Sequence, residues 1–573
     1  MDNHALARLF VEVADLLEIK GENPFKIRAY RNAADVIADC PEPVVAFADA
    51  QLRELSGIGR DLALKIREIA STGRLAYHQA LLAEFPATIL DLLTLQGVGP
   101  KTAALLYSTL NVRSLEDLEA AARAGQLRAL RGMGAKKEQL ILKALDERRL
   151  RAGRRLLSDA TAIATALIEH LQPHAPGAEF EPVGSLRRGQ ETCGDLDILA
   201  TGADVTLMDA FTASASVERI LAKGATRSSV LLRGGFQADL RLVPRDSRGA
   251  ALQYFTGSKS HNIVLRDRAL QRGLKLNEYG VYRISDDQSV AGAYEEDVYE
   301  ALGLAWIPPE LRENRGEIEA AESRTLPKLL ELSDLRGDLH LHSTETDGRD
   351  TIDAMVLAAR AVGLSYIAIT DHSQSLAMAN GLDEHRALAH AARIREVGSR
   401  IDGMTVLAGI ECDIRPDGTL DLADDCLAAL DLVVASVHSA LNQDEPQMTD
   451  RVLRAIERPV VDIVGHPTGR LLLRREPSRI NMTRIMDAAA QHGVALEINS
   501  QPDRLDLGDA YARLARDRGV KLVVSSDAHA CSALRQLKWG VLMARRAWLT
   551  AGDVLNTQPP EHFRAALGRN RTS

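Results

Sequence analysis

The stretch Val183-Gly-Ser-Leu-Arg-Arg-Gly-Gln-Glu-Thr-Cys-Gly-Asp-Leu-Asp-Ile198 sets the reading of this chain. Asp195 and Asp197 stand two residues apart in a run that reads as a strand, so both carboxylates leave one face. Upstream, Gly184 permits a tight turn, Ser185 offers a hydroxyl and Arg188 a cation, a set suited to phosphate oxygens. A second strand-like run, Gln237-Ala-Asp-Leu-Arg-Leu-Val243, supplies a third carboxylate, Asp239. Three convergent carboxylates can hold two Mg2+ or Mn2+ ions against a triphosphate and activate a hydroxyl. An Asp-x-Asp alone says little, because exposed strand carboxylates are common. The Gly-Ser-x-x-Arg before it and the third Asp after it are what give it weight.

Further on comes Tyr254-Phe-Thr-Gly-Ser-Lys-Ser-His-Asn262. Together these motifs resemble the nucleotidyltransferase superfold, and within it the family X DNA polymerases such as DNA polymerase beta. The resemblance implies a palm over 154–252 and a thumb over 253–315. It implies that Asp195, Asp197 and Asp239 bind the palm metals, with Asp239 as base for the primer hydroxyl. Gly184, Ser185 and Arg188 would contact the triphosphate. The whole stretch, Gly257 included, would border the nucleotide, with Tyr254 and Phe255 against the incoming sugar and Asn262 reaching the minor-groove edge of the base. Lys259-Ser-His261 departs from DNA polymerase beta and looks like the bacterial branch.

Three N-terminal segments share an apolar-x-Gly-apolar-Gly pattern: Leu55-Ser-Gly-Ile-Gly, Leu95-Gln-Gly-Val-Gly-Pro-Lys and Leu130-Arg-Gly-Met-Gly-Ala-Lys. The glycines Gly57, Gly59, Gly97, Gly99, Gly132 and Gly134 let backbone N–H groups approach an anion where a helix begins, with Lys101 and Lys136 beside them. One copy would read as an ordinary helix–helix turn; three copies resemble the helix-hairpin-helix element of DNA-binding proteins, which holds backbone phosphate and not sequence. The expected division is a lyase-like domain over 1–75 with the first hairpin and a fingers-type domain over 76–153 with two more. Lys65 matches the Schiff-base lysine of the family's deoxyribose-phosphate lyase, whose amine attacks a sugar aldehyde. Asp61 opposes that role, since a carboxylate there repels phosphate. Between Arg131 and Arg155 nine Lys and Arg face three acids, a solvated basic helix face or a phosphate-facing one.

After residue 335 the grammar changes. Short apolar runs end in polar or acidic residues: Asp338-Leu-His-Leu-His342, Tyr366 to His372, Val406 to Glu411, Leu432 to His438, Val461 to His466, Val494 to Asn499 and Leu522 to His529. Helix-like stretches separate them, which indicates parallel strands. Seven such units suggest an α/β barrel, whose chemistry sits at strand C-terminal ends. Imidazole and carboxylate without cysteine suit Zn2+, Mn2+ or Fe2+. The pattern looks like the PHP (polymerase and histidinol phosphatase) family, a seven-stranded barrel with three metals. That resemblance implies one metal on His340, His342, Glu411 and Asp527. It implies a second on Glu411, His438 and His466, and a third on Asp347, His372 and His529. Asp371 and Asn499 are candidates to orient these ligands, and Cys412 and Cys531 read as packing.

The fold class expected is therefore multidomain, α+β and α/β. A helical helix-hairpin-helix region leads to a palm and thumb, then a polar connector over 316–334, then a PHP (β/α)7 barrel over 335–573. The order resembles bacterial family X DNA polymerases with a C-terminal PHP domain. It implies gap-filling repair synthesis with Mn2+-dependent 3′→5′ exonuclease activity, DNA and dNTPs as partners, and action at abasic sites as an extension. Two other readings are a phosphoesterase for small metabolites with a degenerate N-terminal half, and a non-catalytic DNA-end scaffold. The five scattered cysteines, the absence of a basic-then-apolar leader and the lack of a long apolar run point to a cytoplasmic protein away from membranes, and a monomer is expected. The net charge of −9 argues against a strongly basic DNA clamp, although bound cations would offset many of those carboxylates.

Overall fold

Apolar residues at helical spacing build the N-terminal part. Helices Asn3–Lys20 and Pro24–Ala38 pack together through Leu6, Phe10, Leu17, Ile27 and Tyr30. Helix Arg60–Thr72 buries Leu62, Ala63, Ile66 and Ile69 on one stripe and stops at Gly73, whose φ of 70° suits a glycine C-cap. The computed structural model describes residues 3–38, 44–55, 57–86, 88–95, 98–130, 132–151 and 153–566. The chain forms two units, one over residues 1–152 and one over nearly all the rest.

The second unit begins with a five-stranded sheet: β1 (Glu179–Pro182), β2 (Asp195–Thr201), β3 (Val217–Lys223), β4 (Arg227–Leu232) and β5 (Phe236–Val243). Its order is β1-β2-β5-β4-β3, with β2 and β5 parallel and the other pairs antiparallel. On β2, Leu196 and Ile198 are buried while Asp195 is exposed and Asp197 half-buried, as the two-residue period requires. Helix Leu157–Leu171 packs its Leu157, Ala160, Ala164 and Leu167 stripe into the core of that sheet.

After helix Arg248–Thr256 come helix Lys259–Gln271 and an antiparallel sheet of β6 (Leu274–Asn277), β7 (Gly280–Arg283) and β8 (Ser289–Ala291). Helix Glu295–Ala301 follows. The segment 316–334, read from sequence as a polar connector, is packed: helix Glu317–Glu322 buries Ile318 and Ala321, and Leu329 and Leu330 are buried too. Its polar character misleads because Glu317 is fully buried on the ring of His261, at 2.7 Å.

Seven parallel strands complete the unit in sequence order: β9 (Gly337–Asp338), β10 (Tyr366–Ile369), β11 (Thr405–Asp413), β12 (Leu432–Ser436), β13 (Ile463–Val464), β14 (Ala495–Asn499) and β15 (Leu522–Ser525). Helices alternate with them, and the strands are buried on both faces, which explains their continuous apolar runs. The last and first strands approach through a parallel bridge between Leu341 and Ala528, so the sheet is a near-closed barrel. One apolar cluster runs from the palm helix Leu157–Leu171 through Leu330 into the barrel. Among the described residues no helix is long and apolar enough to cross a membrane.

Candidate functional site

The parallel register of β2 and β5 places Asp197 opposite Asp239. With Asp195 on the same face of β2, the three carboxylates form one cluster. Burial, then the charges of Asp195 and Asp239, push the Asp197 carboxyl up to about 6. Such mutual repulsion fits divalent cations. Asp239 is buried and accepts from Arg227 Nη2 at 3.1 Å and Gln237 Nε2 at 3.3 Å.

Beside them, Gly184 has a φ of 66° and opens the short turn Gly184–Arg187. A Cβ on Gly184 would stand 3.1 Å from Asp197 Oδ2, so the turn touches the carboxylates only because this residue is glycine. Arg188 donates from Nη1 to the Thr256 carbonyl at 2.8 Å and from Nε to Glu313 at 2.9 Å. The Tyr254 and Phe255 rings meet edge to face at 5.1 Å, and the Arg241 guanidinium lies 4.3 Å from the Phe255 ring. Gly257 admits Asn262 at close range: a Cβ there would meet Asn262 Oδ1 at 2.4 Å. Asn262 Nδ2 donates to the Tyr254 carbonyl at 2.6 Å, so its amide is engaged within the protein.

Sequence reasoning passed over Arg187. It reaches Glu295 at 2.9 Å and Thr256 Oγ1 at 2.8 Å, and Glu295 is also bound by the fully buried Arg312. Burial alone would raise the Glu295 carboxyl; the Arg312 and Arg187 charges reverse this and hold it at about 2. The signal was a second arginine adjacent to the expected phosphate ligand.

At the C-terminal ends of the barrel strands all nine expected metal ligands converge. Three groups lie close enough to hold ions: His342, Asp347, His372 and His529; His340, His342 and Asp527; and His372, Glu411 and His438. His466 joins through its Nε2, 3.0 Å from Glu411 Oε1. His342 and His372 thus each belong to two groups. Buried nitrogens without hydrogen-bond partners, including His340 Nε2 and both ring nitrogens of His342, suit cations. Burial, then neighbouring His529 and His372, hold the His342 imidazole down at about 4, the neutral form a metal requires. Glu411 sits well below the usual carboxylate range: burial opposes this, but His340, His438 and His372 outweigh it. Two of the expected ligands occupy the left-handed backbone region, His466 at φ 26° and Asp527 at φ 52°, a local cost of the kind that collects at functional sites.

The groups behind these ligands are equally defined. Glu497, which sequence reasoning did not select, accepts from His340 Nδ1 at 2.8 Å and from the His466 backbone N–H at 2.6 Å. Its spacing of two residues from Asn499 put it on the same strand face. Asn499 donates to Asp527 Oδ2 at 3.0 Å. Asp371 accepts from the backbone and hydroxyl of Ser343 and from His390, so it anchors the loop that carries Asp347. Cys412 donates to Asp421, and Cys531 packs by Met355.

In the N-terminal unit, Gly57 and Gly132 have φ values of 84° and 82°, while Gly59 and Gly99 cap the helices Arg60–Thr72 and Pro100–Leu110. Gly134 immediately precedes helix Ala135–Arg151, and Lys101 and Lys136 are exposed in first turns. Gly97 and Arg131 lie outside the described residues. Lys65 pairs with Asp61, and its ammonium lies 5.3 Å from the Tyr77 ring and 5.8 Å from that of Tyr30.

Comparison with known proteins follows the same division. Family models described as a helix-hairpin-helix domain, a SAM-like helix-hairpin-helix tandem, a DNA polymerase beta palm, a DNA polymerase beta thumb and a PHP domain match residues 1–75, 89–147, 157–233, 251–313 and 338–501. Asp239, Asp527 and His529 fall outside those spans. The DNA polymerase/3′-5′ exonuclease PolX of Bacillus subtilis (strain 168) is 37% identical over 573 residues, covering 100% of each chain. A probable phosphatase of Shewanella sediminis (strain HAW-EB3) is 30% identical over 232 residues, 39% of this chain and 89% of its own. A probable phosphatase of Thermoanaerobacter sp. (strain X514) is 29% identical over 231 residues, 38% and 89% respectively. A relative matched from end to end, with palm, thumb and barrel each recognised separately, places the chain in the family of bacterial family X DNA polymerases that carry a C-terminal PHP domain.

Proposed function

We propose that this chain extends DNA primers across short gaps during repair with its palm, and trims 3′ ends with its barrel. The chain is a DNA polymerase and a metal-dependent 3′→5′ exonuclease; the division of residues between the two activities is our reading. The observation that carries it is the Asp197–Asp239 register beside the Gly184 turn, in a chain matched over its whole length by a polymerase/exonuclease.

In this reading Asp195 and Asp197 hold two Mg2+ or Mn2+ ions, and Asp239 accepts the proton of the primer 3′-hydroxyl. Ser185, the amides of the Gly184 turn and the Arg188 guanidinium receive the triphosphate of a dNTP. Tyr254 and Phe255 wall the sugar, and Asn262 exchanges its bond to the Tyr254 carbonyl for the base edge. In the barrel, His340, His342, Asp347, His372, Glu411, His438, His466, Asp527 and His529 hold up to three Mn2+, Zn2+ or Fe2+ ions. Bound there, such ions would supply Lewis acidity to a phosphodiester and lower the pKa of the water that hydrolyses it. Glu497 fixes the His340 ring so that Nε2 faces the ions, and Asn499 orients Asp527. The hairpin glycines with Lys101 and Lys136 hold DNA backbone phosphate, and the protein works as a monomer in the cytoplasm. Lys65 between Tyr30 and Tyr77 supports lyase action at abasic sites as a second activity.

The test is a gapped-duplex assay with Mg2+ and Mn2+ compared. Asp195→Ala with Asp197→Ala should abolish dNTP incorporation and leave 3′→5′ digestion. His340→Ala with His342→Ala should do the reverse. Continued synthesis in the first variant, or an unchanged digestion ladder in the second, would overturn the assignment.

A further inference from the structure

The expected triphosphate arginine is held by a residue of the barrel. Arg546 ends the barrel helix Leu537–Arg546 and is almost fully buried, at 2% side-chain exposure. Its Nη1 donates to the backbone carbonyl of Arg188 at 2.7 Å and to Glu313 Oε1 at 3.2 Å. That same Glu313 oxygen accepts from Arg188 Nε and from Gln190. Arg546 Nη2 donates to Asp509 at 2.7 Å, and Asp509 accepts in turn from Arg315 at 3.0 Å. Charges therefore alternate from Arg188 through Glu313, Arg546 and Asp509 to Arg315. The turn is also backed sterically by the same helix: a Cβ on Gly189 (φ 66°) would stand 2.5 Å from Leu542 Cγ.

We propose that Arg546 is a positioning residue for nucleotide binding, so that the barrel tunes the affinity of the palm for dNTP. This rests on Arg188 as a triphosphate ligand. Glu313 and an incoming triphosphate compete for Arg188. Arg546 shares the Glu313 charge, which leaves Arg188 free to turn toward the more negative partner, and it fixes the Arg188 backbone while doing so. Without it, Arg188 carries the Glu313 ion pair alone among the described residues and is held more tightly. A planar fork is needed to reach Glu313, the Arg188 carbonyl and Asp509 together; a lysine ammonium cannot span all three.

The experiment is single-nucleotide insertion on a gapped duplex with the full-length protein, read as KM and kcat separately, with 3′→5′ digestion measured in parallel. Arg546→Ala should raise KM for dNTP about ten-fold. Its kcat should stay within about two-fold, with digestion unchanged. Arg546→Lys, which keeps charge and volume where the alanine variant fails to fold, should raise KM about three-fold. Adding Glu313→Gln to Arg546→Ala removes the competitor and should bring KM back most of the way. Arg188→Ala serves as the control and should raise KM by itself. If Arg188→Ala raises KM while Arg546→Lys and Arg546→Ala keep the wild-type value, the proposal falls alone. If Arg188→Ala leaves KM unchanged, the nucleotide reading falls and takes the proposal with it. Equal losses of synthesis and digestion in both Arg546 variants would mark a general structural role and overturn it as well.

Discussion

Asp197 and Asp239 face each other across two parallel strands, in direct register, with Asp195 beside them. The sheet that sets this pairing also makes it unfavourable, because like charges sit together in a partly buried place. The Asp197 carboxyl, up at about 6, records that conflict.

Metal binding at the palm should weaken on acidification. Asp197 is ionised at pH 7.5 and mostly protonated at pH 5, so at pH 5 a cation must displace a proton. The Mg2+ concentration giving half-maximal incorporation should rise about ten-fold between those values. A flat dependence would show that Asp197 carries no proton in the metal-free protein.

Asp197→Asn should separate stability from function. The raised carboxyl costs stability above its unfolded pKa, so neutralising it in the metal-free protein should raise Tm by about 1 °C, the equivalent of about 1 kcal/mol in a unit of this size. Incorporation should vanish. Thermal melts in chelator, beside the gap-filling assay, check both halves.

Glu497→Gln should loosen metals without unfolding the barrel. The amide oxygen can still accept from the His466 backbone N–H, but its NH2 then faces the His340 Nδ1–H, so the His340 ring loses both its acceptor and the charge behind it. Metal affinity should fall about 10–100-fold. Competitive chelation followed by elemental analysis reads this directly, and full retention of metal would assign Glu497 to packing.

Glu295→Ala should destabilise the second unit by about 3–5 kcal/mol, because it strands Arg187 and the fully buried Arg312. The carboxyl is depressed to about 2, so its stabilising effect is complete above the ordinary pKa of 4.5 and fades as pH falls toward 2. Denaturant unfolding at pH 7 and pH 3 should show a smaller difference between wild type and variant at the lower pH.

Much of this was legible from local spacing. Asp195-x-Asp197 and His340-x-His342 announce one-faced pairs because a strand has a period of two. The seven apolar runs ending in polar residues gave the barrel strands and the mouth that collects their ligands. Spacing is silent on contacts between distant segments. Nothing near Arg546 in the chain hints at Arg188, and nothing near Arg187 hints at Glu295. The connector over 316–334 was misjudged for the same reason: Glu317 reads as solvated until His261 is seen to bury it. Glu497 was within reach, since its strand spacing from Asn499 placed it on the metal side.

The near-closed barrel meets itself at Leu341 and Ala528, and four of the candidate metal ligands flank that seam. His340 and His342 stand on the first strand side, Asp527 and His529 on the last. An ion held by both sides ties together segments at opposite ends of the barrel's sequence, as a disulfide would, but reversibly. Chelation should therefore unzip the fold in a definite place. Amide protection should drop first along residues 338–342 and 526–529, leaving the middle strands intact, so that the proposed metal centre doubles as the clasp of its own scaffold.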